Sequence, residues 1–450
     1  MKKKKISIQI NNHKIEKFKK KITVALDKSI THRCLFISAN CIGISKIKGL
    51  VSEDIDATIN GLRLLGIKII KKKNIYFVHG NGISGFRKFN GEINCGNSGT
   101  SARSFLGLLA CYPYKVTING DKSLMGRPFK RLTKYLEKVG ANIDHPKNKK
   151  KHLPIEICGT KSWPLAQRHY MTAPSAQIKT SLLYSALQTL GNTEIIETPT
   201  RDHAEIILKQ LGADIKIKKI KNKNLISLKG QKEMKSFSIN VPGDPSSACY
   251  FVVQTLLTKN SELLIKNINI NKNRIGFIKI LRDKMKGKIK IINKKKIFGE
   301  EVGDLFVKSS NLRPINCSKE VIVSCIDDLP IIWIACALTK GQSKFSSIAE
   351  LRLKESDRIR SISEGMKAFG IKTESTKDSI KIYGNPEIKT KKKIIISSKM
   401  DHRIAMSFFI FGQIIGANLL IKGFETVKSS FPDFLKLQKH LGAKYEIKKK

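Results

Sequence analysis

A pattern of apolar and polar positions that ends at a glycine recurs six times along the 450-residue chain. Before each glycine, apolar residues recur every three or four positions, which is typical of one face of a helix. After it, apolar and polar residues alternate, which is typical of a strand with one buried face. The six junction glycines are Gly66, Gly140, Gly212, Gly287, Gly370 and Gly442.

The spacing of these junctions predicts the architecture. Successive glycines lie 74, 72, 75, 83 and 72 residues apart. Each is predicted to leave its helix with positive φ, where a residue with a Cβ loses about 1 kcal/mol or more. Units of about 70 to 80 residues are small for independent cores, so they should pack together. We therefore expect an α/β protein of two three-unit domains, with a hinge where Pro242, Gly243 and Pro245 interrupt the pattern.

The chain carries a formal net charge of +49, and its lysine runs are spread along the whole sequence, as at Lys71–Lys73 and Lys294–Lys296. Such a charge favours anionic partners, and a basic nucleic-acid-binding protein is one alternative. Aromatic residues are 7% of the chain and do not follow the lysine runs, whereas single-strand binders interleave the two. We therefore expect a solvated, lysine-rich surface and no nucleic-acid partner.

Cysteine usage and hydropathy indicate a cytoplasmic protein. None of the nine cysteines is spaced as CxxC, and no cysteine–histidine cluster has zinc spacing, so we expect reduced thiols and no metal. The basic N-terminus lacks the apolar region of a signal peptide. The uncharged run 404–421 contains several polar residues, which predicts a buried helix end and a strand rather than a membrane span.

Seven stretches differ from the lysine-rich background and suggest chemistry. Several combine small or hydroxyl residues with a cation just before an apolar helix, where free backbone N–H groups favour anions. His203 beside Asp202 could act as an acid or base or form a metal-binding pair with the aspartate. No third metal ligand lies nearby, and we assign His203 a structural role. The stretches are 27–33, 96–103, 120–128, 174–179, 201–205, 327–330, and 351–358 together with 401–403.

Arginine separates these stretches from ordinary surface charge. The chain has 70 Lys and 15 Arg, yet arginine occurs in five of the seven stretches. A planar guanidinium donates two parallel hydrogen bonds to a carboxylate or phosphate, which an ammonium cannot copy. The arginines therefore predict oxyanion-binding sites.

The six repeats and the segments GNSGT, RPF, SAQIK, RDHAE, VPGDPSSA, LRLKESDR and DHRIAM together resemble the 5-enolpyruvylshikimate 3-phosphate synthases, class II, within the enolpyruvyl transferase family. The resemblance runs from Lys28 to 430–433. It implies a two-domain inside-out α/β barrel with three βαβαββ units per domain. One domain would comprise 1–22 and 243–450, the other 23–242, with the active site in the cleft between them.

The resemblance also implies a reaction of the shikimate pathway, which leads to chorismate and the aromatic amino acids. The enolpyruvyl group of phosphoenolpyruvate would pass to the 5-hydroxyl of shikimate 3-phosphate, without a metal or organic cofactor. We expect a monomer with these two small partners and no membrane partner. The implied catalytic residues are Asp327, Lys354, Glu355 and Lys28. The implied substrate-binding residues are Lys28, Ser29, Arg33, Asn97, Gly99, Thr100, Arg127, Ser175, Ala176, Gln177, Arg201, Asp327, Lys354, Arg358 and Arg403.

Two positions depart from the family pattern. Ala25-Leu26-Asp27 stands where Pro-Gly-Ser is usual, and Ser429 stands where many relatives have Lys. The nearest rival is the sister enzyme that transfers enolpyruvyl to a UDP-amino sugar. That enzyme carries a reactive cysteine just before the arginine that matches Arg127, and 122–126 contains none here.

Overall fold

The computed structural model describes residues 5–145, 152–160, 162–317, 319–390 and 392–449. Its helices are numbered in chain order. They are α1 (Lys28–Ala39), α2 (Glu53–Leu64), α3 (Gly99–Leu109), α4 (Lys122–Met125), α5 (Lys130–Val139), α6 (Ala176–Ala186), α7 (His203–Gln210), α8 (Pro245–Leu257), α9 (Gly276–Ile278), α10 (Lys319–Val323), α11 (Leu329–Ala337), α12 (Arg358–Ala368), α13 (His402–Ile415) and α14 (Phe434–His440).

The strands are short, and most alternate between buried and exposed residues. They are β1 (Ile6–Asn11), β2 (Lys19–Ile22), β3 (Ile42–Lys48), β4 (Lys68–Lys72), β5 (Ile75–Asn81), β6 (Gly91–Asn94), β7 (Val116–Asn119), β8 (Asn142–Asp144), β9 (Ile155–Cys158), β10 (Arg168–Tyr170), β11 (Asn192–Glu197), β12 (Asp214–Ile220), β13 (Lys223–Lys229), β14 (Ser238–Asn240), β15 (Glu262–Asn269), β16 (Lys288–Ile297), β17 (Glu300–Lys308), β18 (Asn316–Cys317), β19 (Gly341–Ser346), β20 (Thr373–Ser375), β21 (Ser379–Gly384), β22 (Ile394–Ser397), β23 (Asn418–Lys422) and β24 (Glu446–Lys449).

Within the described residues these strands form six four-stranded sheets, which confirms the predicted repeat. The sheet orders are β14-β3-β5-β4, β6-β7-β9-β8, β10-β11-β13-β12, β16-β17-β15-β2, β18-β19-β21-β20 and β22-β23-β1-β24. The second sheet shows the unit most simply. Strands β6 and β7 are parallel and joined through α3, and the antiparallel hairpin of β8 and β9 follows α5. That order is the βαβαββ unit that the resemblance implies.

Each unit buries one helix almost completely, because a parallel strand pair needs a helical crossover that covers a face of its sheet. Helices α1, α3 and α6 pack together through α3, and α8, α11 and α13 pack against one another. All nine residues of α11 are buried. A helix that is apolar on every side is expected only inside a core.

The junction glycines behave as predicted at five of the six positions, where φ lies between +75° and +110°. The prediction for Gly287 is wrong, because the left-handed residue there is Lys286, with φ of +65°. A π-helical segment, Lys279–Lys284, precedes it, and its wider turn shifts the helix end. Gly287 is fixed by packing instead, since a Cβ on it would lie 2.8 Å from the Leu281 carbonyl oxygen.

The chain divides into two compact units. The terminal unit comprises Met1–Ala25, Pro242–Lys295 and Glu301–Lys450, and the central unit comprises Leu26–Val241 and Lys296–Glu300. The boundaries taken from the resemblance stay a prediction.

The uncharged run 404–421 forms most of α13 and the beginning of β23, as predicted. In the part of the chain that the structure describes, no helix is both long enough and apolar enough to cross a bilayer.

Candidate active site

The first predicted anion site lies at the beginning of α1 in the central unit. Asp27, one of the residues that depart from the pattern of the resembled family, is fully buried and caps this helix by accepting a hydrogen bond from Ile30 N at 2.9 Å. Lys28 follows it, and its Nζ lies 2.9 Å from Asp54 Oδ2. Asp27 therefore stabilises the beginning of α1, and Asp54 forms the ion pair with Lys28 in this structure.

Arg33, one turn further along α1, is 3% exposed. Its guanidinium donates to the Ser29 carbonyl oxygen at 2.9 Å and to Thr180 Oγ1, in α6, at 3.0 Å. This bond ties α1 to α6, the two helices at whose beginnings Ser29, Ser175 and Ala176 are predicted to bind substrate. Ser29, Ser175 and Ala176 lie at the first turns of their helices.

A buried chain of hydrogen bonds links α1 to the predicted phosphoenolpyruvate loop. His32 Nδ1 lies 2.9 Å from Thr58 Oγ1, Thr58 Oγ1 lies 2.7 Å from Ser101 Oγ, and Ser101 Oγ lies 2.7 Å from Ser98 Oγ. Burial, followed by the charges of Lys28 and Arg33, lowers the pKa of His32 well below its ordinary value. The ring is therefore neutral at physiological pH and serves as a hydrogen-bonding group.

The GNSGT loop and the arginine of the third stretch lie side by side. The guanidinium of Arg127 donates to Asn97 Oδ1, and Asn97 Nδ2 donates to Asp121 Oδ2 at 2.8 Å. Gly99 begins α3, and a Cβ there would lie 2.8 Å from Nη1 of Arg103 and 3.1 Å from Nη1 of Arg127. The glycine therefore leaves room for two guanidinium groups beside the helix N-terminus. Gln177 reaches the same helix start and donates to Thr100 Oγ1 at 3.0 Å.

Arg201 is half-buried, and a buried ionic cluster joins the residues just before it to the residues just after it. Lys179 Nζ lies 2.7 Å from Glu197 Oε1 and 2.6 Å from Glu205 Oε1. Burial lowers the pKa of Lys179, but the two carboxylates raise it more, so the net shift is upward and the ammonium stays charged. The next residue but one after Arg201, His203, is fully buried, with Nδ1 2.6 Å from Glu300 Oε1. That contact agrees with the structural role assigned to this histidine.

In the terminal unit, Arg358 is enclosed by three carboxylates and is 1% exposed. Its guanidinium lies 2.8 Å from Asp401 Oδ2, 2.5 Å from Glu355 Oε2 and 3.3 Å from Asp327 Oδ1. Lys354 Nζ lies 3.3 Å from the same oxygen of Asp327. The predicted catalytic residues of this unit therefore form one cluster.

The two adjacent aspartates before α11 have different surroundings. Asp327 keeps 17% of its side chain exposed, whereas Asp328 is fully buried and pairs with Arg403 at 3.3 Å. Burial raises the pKa of Asp328, and the charge of Arg403 opposes that shift. Asp327 is thus the more exposed of the two carboxylates, while Asp328 orients Arg403.

The cationic residues of the candidate site were predicted from the sequence, but several of their acidic partners were not. Asp54, Asp121 and Asp401 had no assigned role, although each contacts a predicted site residue. Their signal was weak, since an aspartate near a helix start is most often a cap. Among the described residues, no three His, Cys, Asp or Glu side chains are arranged to hold a metal ion.

The six βαβαββ units, with arginine-lined sites in both compact units, define an enolpyruvyl transferase fold. The enolpyruvyl transferase NikO from Streptomyces tendae has the same fold, with a TM-score of 0.77 at 12% identity, over 99% of this chain and 100% of that one. An EPSP synthase from Acinetobacter baumannii superposes with a TM-score of 0.83 at 34% identity, over 99% of this chain and all of that one.

Within the enolpyruvyl transferases, the amino-acid sequence of this chain matches one family. The family model of EPSP synthase (3-phosphoshikimate 1-carboxyvinyltransferase) matches residues 12–437. A 3-phosphoshikimate 1-carboxyvinyltransferase from Zymomonas mobilis is 38% identical over 434 residues, 95% of each chain. One from Petrotoga mobilis is 40% identical over 94% of this chain and 96% of its own. The chain belongs to the EPSP synthase family, a family of transferases.

Proposed function

We propose that this protein transfers the enolpyruvyl group of phosphoenolpyruvate to the 5-hydroxyl of shikimate 3-phosphate and releases phosphate. The observation that carries the proposal is the cluster of Asp327, Lys354, Glu355 and Arg358, in which acids, a cation and a buried guanidinium meet. Membership of the EPSP synthase family supports the same reaction.

Charge complementarity supports these substrates. Each carries a carboxylate and a phosphomonoester, so about five negative charges must be neutralised. We assign the shikimate carboxylate to Ser29 and Arg33, and its phosphate to Ser175, Ala176 and Arg201. Arg33 and Ser175 belong to segments that a hydrogen bond from Arg33 to Thr180 already holds together.

The phosphoenolpyruvate ligands form a second group. We assign contacts with this substrate to Lys28, Asn97, Gly99, Thr100, Arg127, Gln177, Arg358 and Arg403. The hydrogen bonds from Arg127 to Asn97 and from Gln177 to Thr100 support a shared role for four of them.

The contacts of Arg358 suggest how the acid becomes available. Its Nη2 is engaged by Glu355, so a substrate carboxylate that binds there takes the place of Glu355. A carboxyl group released from a guanidinium and set beside a substrate anion holds a proton more readily. Glu355 is then suited to protonate the methylene carbon of phosphoenolpyruvate.

The reaction follows from that protonation. Adding a proton to C3 makes C2 electrophilic, and the 5-hydroxyl oxygen adds to C2 as it loses its own proton. We assign the acceptance of a hydrogen bond from that hydroxyl to Asp327, and the Lys354 Nζ that lies 3.3 Å from Asp327 Oδ1 supports an ionised carboxylate there. The tetrahedral intermediate then loses phosphate from C2 and a proton from the methyl carbon, which restores the vinyl group.

We further propose that the enzyme works as a monomer in the cytoplasm with these two small substrates and without a nucleic-acid partner. The even spread of lysine along the sequence, with few aromatic residues nearby, supports a surface that attracts anions without binding a particular polymer.

Phosphate release tests the proposed reaction. The purified protein is mixed with phosphoenolpyruvate and either shikimate 3-phosphate or UDP-N-acetylglucosamine, and free phosphate is followed over time. Release that requires shikimate 3-phosphate is expected. Release with the UDP-sugar alone, or with neither acceptor, would contradict the proposal.

A further inference from the structure

The buried cluster of Lys179, Glu197 and Glu205 has no place in the chemistry described above. The exposed fractions of these side chains are 0%, 0% and 2%, so none of them can touch a substrate. Moving three ionised groups out of water is costly, and apolar residues of similar size often replace such clusters without loss of stability. A buried cluster of this kind therefore calls for a role other than stability.

The position of the cluster suggests that role. Lys179 lies one turn after Ser175, the residue that caps α6, and the Lys179 amide donates to the Ser175 carbonyl oxygen at 3.0 Å. Its ammonium is therefore fixed relative to the helix start that presents Ser175 and Ala176.

The two glutamates flank Arg201 on either side. Glu197 ends β11, and its carboxylate accepts hydrogen bonds from Thr200 Oγ1 at 2.6 Å and Thr200 N at 3.3 Å. The turn that leads directly into Arg201 is thereby held to Glu197. Glu205 lies in the first turn of α7, four residues after Arg201. One ammonium thus joins the segments before and after Arg201 to the start of α6.

We propose that Lys179, Glu197 and Glu205 are positioning residues that fix Arg201 relative to Ser175 and Ala176, and so shape the site for the phosphate of shikimate 3-phosphate. The inference rests on the proposed function, which assigns that phosphate to Ser175, Ala176 and Arg201. Donors to a phosphate must converge closely, because small displacements of binding groups cost large factors in rate or affinity. Thr200, which precedes Arg201, connects the turn to Glu197 through its two hydrogen bonds with that carboxylate.

The test changes the hydroxyl that links Glu197 to this turn. Thr200→Val keeps the shape of the 6%-exposed side chain and removes its hydrogen bond. We expect the KM for shikimate 3-phosphate to rise about tenfold, with kcat and the KM for phosphoenolpyruvate within about twofold of the unaltered protein. Thr200→Ser, which restores the hydroxyl, should recover the original KM.

Thr189→Val is the matched control. Thr189 is 1% exposed, and its hydroxyl donates to the Ala186 carbonyl oxygen at 3.1 Å, at the far end of α6. Each valine variant loses one buried hydroxyl, which contacts Glu197 in the case of Thr200 and both Ala186 and Thr193 in the case of Thr189. A general loss of stability would therefore lower both melting temperatures. Only Thr200→Val should alter the KM for shikimate 3-phosphate.

The possible outcomes separate this inference from the proposed function. If the unaltered protein releases phosphate and Thr200→Val leaves the KM for shikimate 3-phosphate unchanged, the positioning role is overturned and the reaction stands. If both KM values rise together, or Thr189→Val has the same effect, the cluster is merely structural. If the unaltered protein releases no phosphate, the proposed function falls and this inference falls with it.

Discussion

Arg358 and Asp401 form a buried ion pair in which Nε of the arginine lies 2.8 Å from Oδ2 of the aspartate. Asp401 also caps α13, since its Oδ1 accepts a hydrogen bond from the backbone N–H of Arg403 at 2.9 Å. The aspartate therefore fixes the direction of one predicted substrate-binding arginine and the helix start that carries the other.

The first prediction concerns this pair. Asp401→Asn keeps the capping oxygen but leaves the buried guanidinium with less negative charge around it. We expect the unfolding free energy to fall by about 2 kcal/mol, because the buried guanidinium loses one charged hydrogen-bond partner while Glu355 and Asp327 still compensate part of its charge. We also expect kcat to fall, because Asp401 no longer fixes the direction of the Arg358 guanidinium, to which the proposed function assigns phosphoenolpyruvate. Denaturant unfolding and steady-state kinetics measure the two effects.

Asp283→Asn provides the control for that comparison. Its ion pair with Arg282 has a similar distance, 2.7 Å, but both side chains are at least 40% exposed. Exposed pairs contribute about 0 to 1 kcal/mol, so this variant should change neither quantity appreciably. Equal losses in the two variants would show that burial of the Arg358–Asp401 pair has no special importance.

The second prediction concerns Arg127, which is 8% exposed and donates to Asn97. Arg127→Lys keeps the charge but loses the planar fork that can hold Asn97 and a substrate anion together. We expect kcat/KM for phosphoenolpyruvate to fall about 10- to 100-fold, equivalent to the loss of one charge-assisted hydrogen bond. Arg360→Lys is the control, since Arg360 is 73% exposed and pairs with Glu364. Similar kinetics in both variants would contradict the assignment of Arg127.

The sequence predicted the repeat and most of the junctions because each depends on local physics. A helix face, a glycine with positive φ and an alternating strand are all encoded within about ten residues. The prediction failed at Gly287 because a π-helical segment shifted the helix end by one residue. No local sequence pattern predicts a π-helical segment of this kind.

The cations of the candidate site were predictable, and their partners were not. Arg127 and Arg358 stand out against a lysine-rich background, which is a property of the sequence alone. Lys179, in α6, and Glu205, in the first turn of α7, are 26 residues apart along the chain and meet only through the fold. The distance between two charged residues in the fold cannot be read from their spacing when a strand and a turn lie between them.

The third prediction concerns the pH dependence of stability. Burial, with a smaller effect from the charge of Glu197, raises the pKa of Glu205 above its ordinary value of 4.5 despite the opposing charge of Lys179. Because the folded state binds this proton more tightly, Glu205 favours folding most below pH 4.5, and that contribution is lost as the pH rises through its folded pKa.

Glu205→Gln removes this titration and tests its sign. The unfolding midpoint of the unaltered protein, relative to that of Glu205→Gln, should decline as the pH is raised from about 4.5 toward neutrality. Urea unfolding at matched ionic strength measures the two midpoints at each pH. A difference that stays constant, or that grows with pH, would contradict the raised pKa.

The fourth prediction concerns the nine cysteines. Seven are buried, and Cys111 and Cys158 are half-buried. Burial raises the pKa of Cys41, Cys111 and Cys336 to about 12, and it raises the pKa of Cys34 and Cys95 as well. The thiolate is the reactive form, so these thiols should react slowly at neutral pH.

Alkylation with iodoacetamide at pH 7.5 should therefore leave phosphate release intact. Because Cys158 is half-buried, it should be modified before the seven buried thiols. Intact-mass and peptide mass spectrometry would follow the labelling, and all nine thiols should react once the protein is unfolded in denaturant. Cys158→Ser, as the control, should retain full activity and lose the first label. Rapid inactivation with one equivalent bound at any cysteine would instead indicate a catalytic thiol, as in the sister enzyme that acts on a UDP-amino sugar.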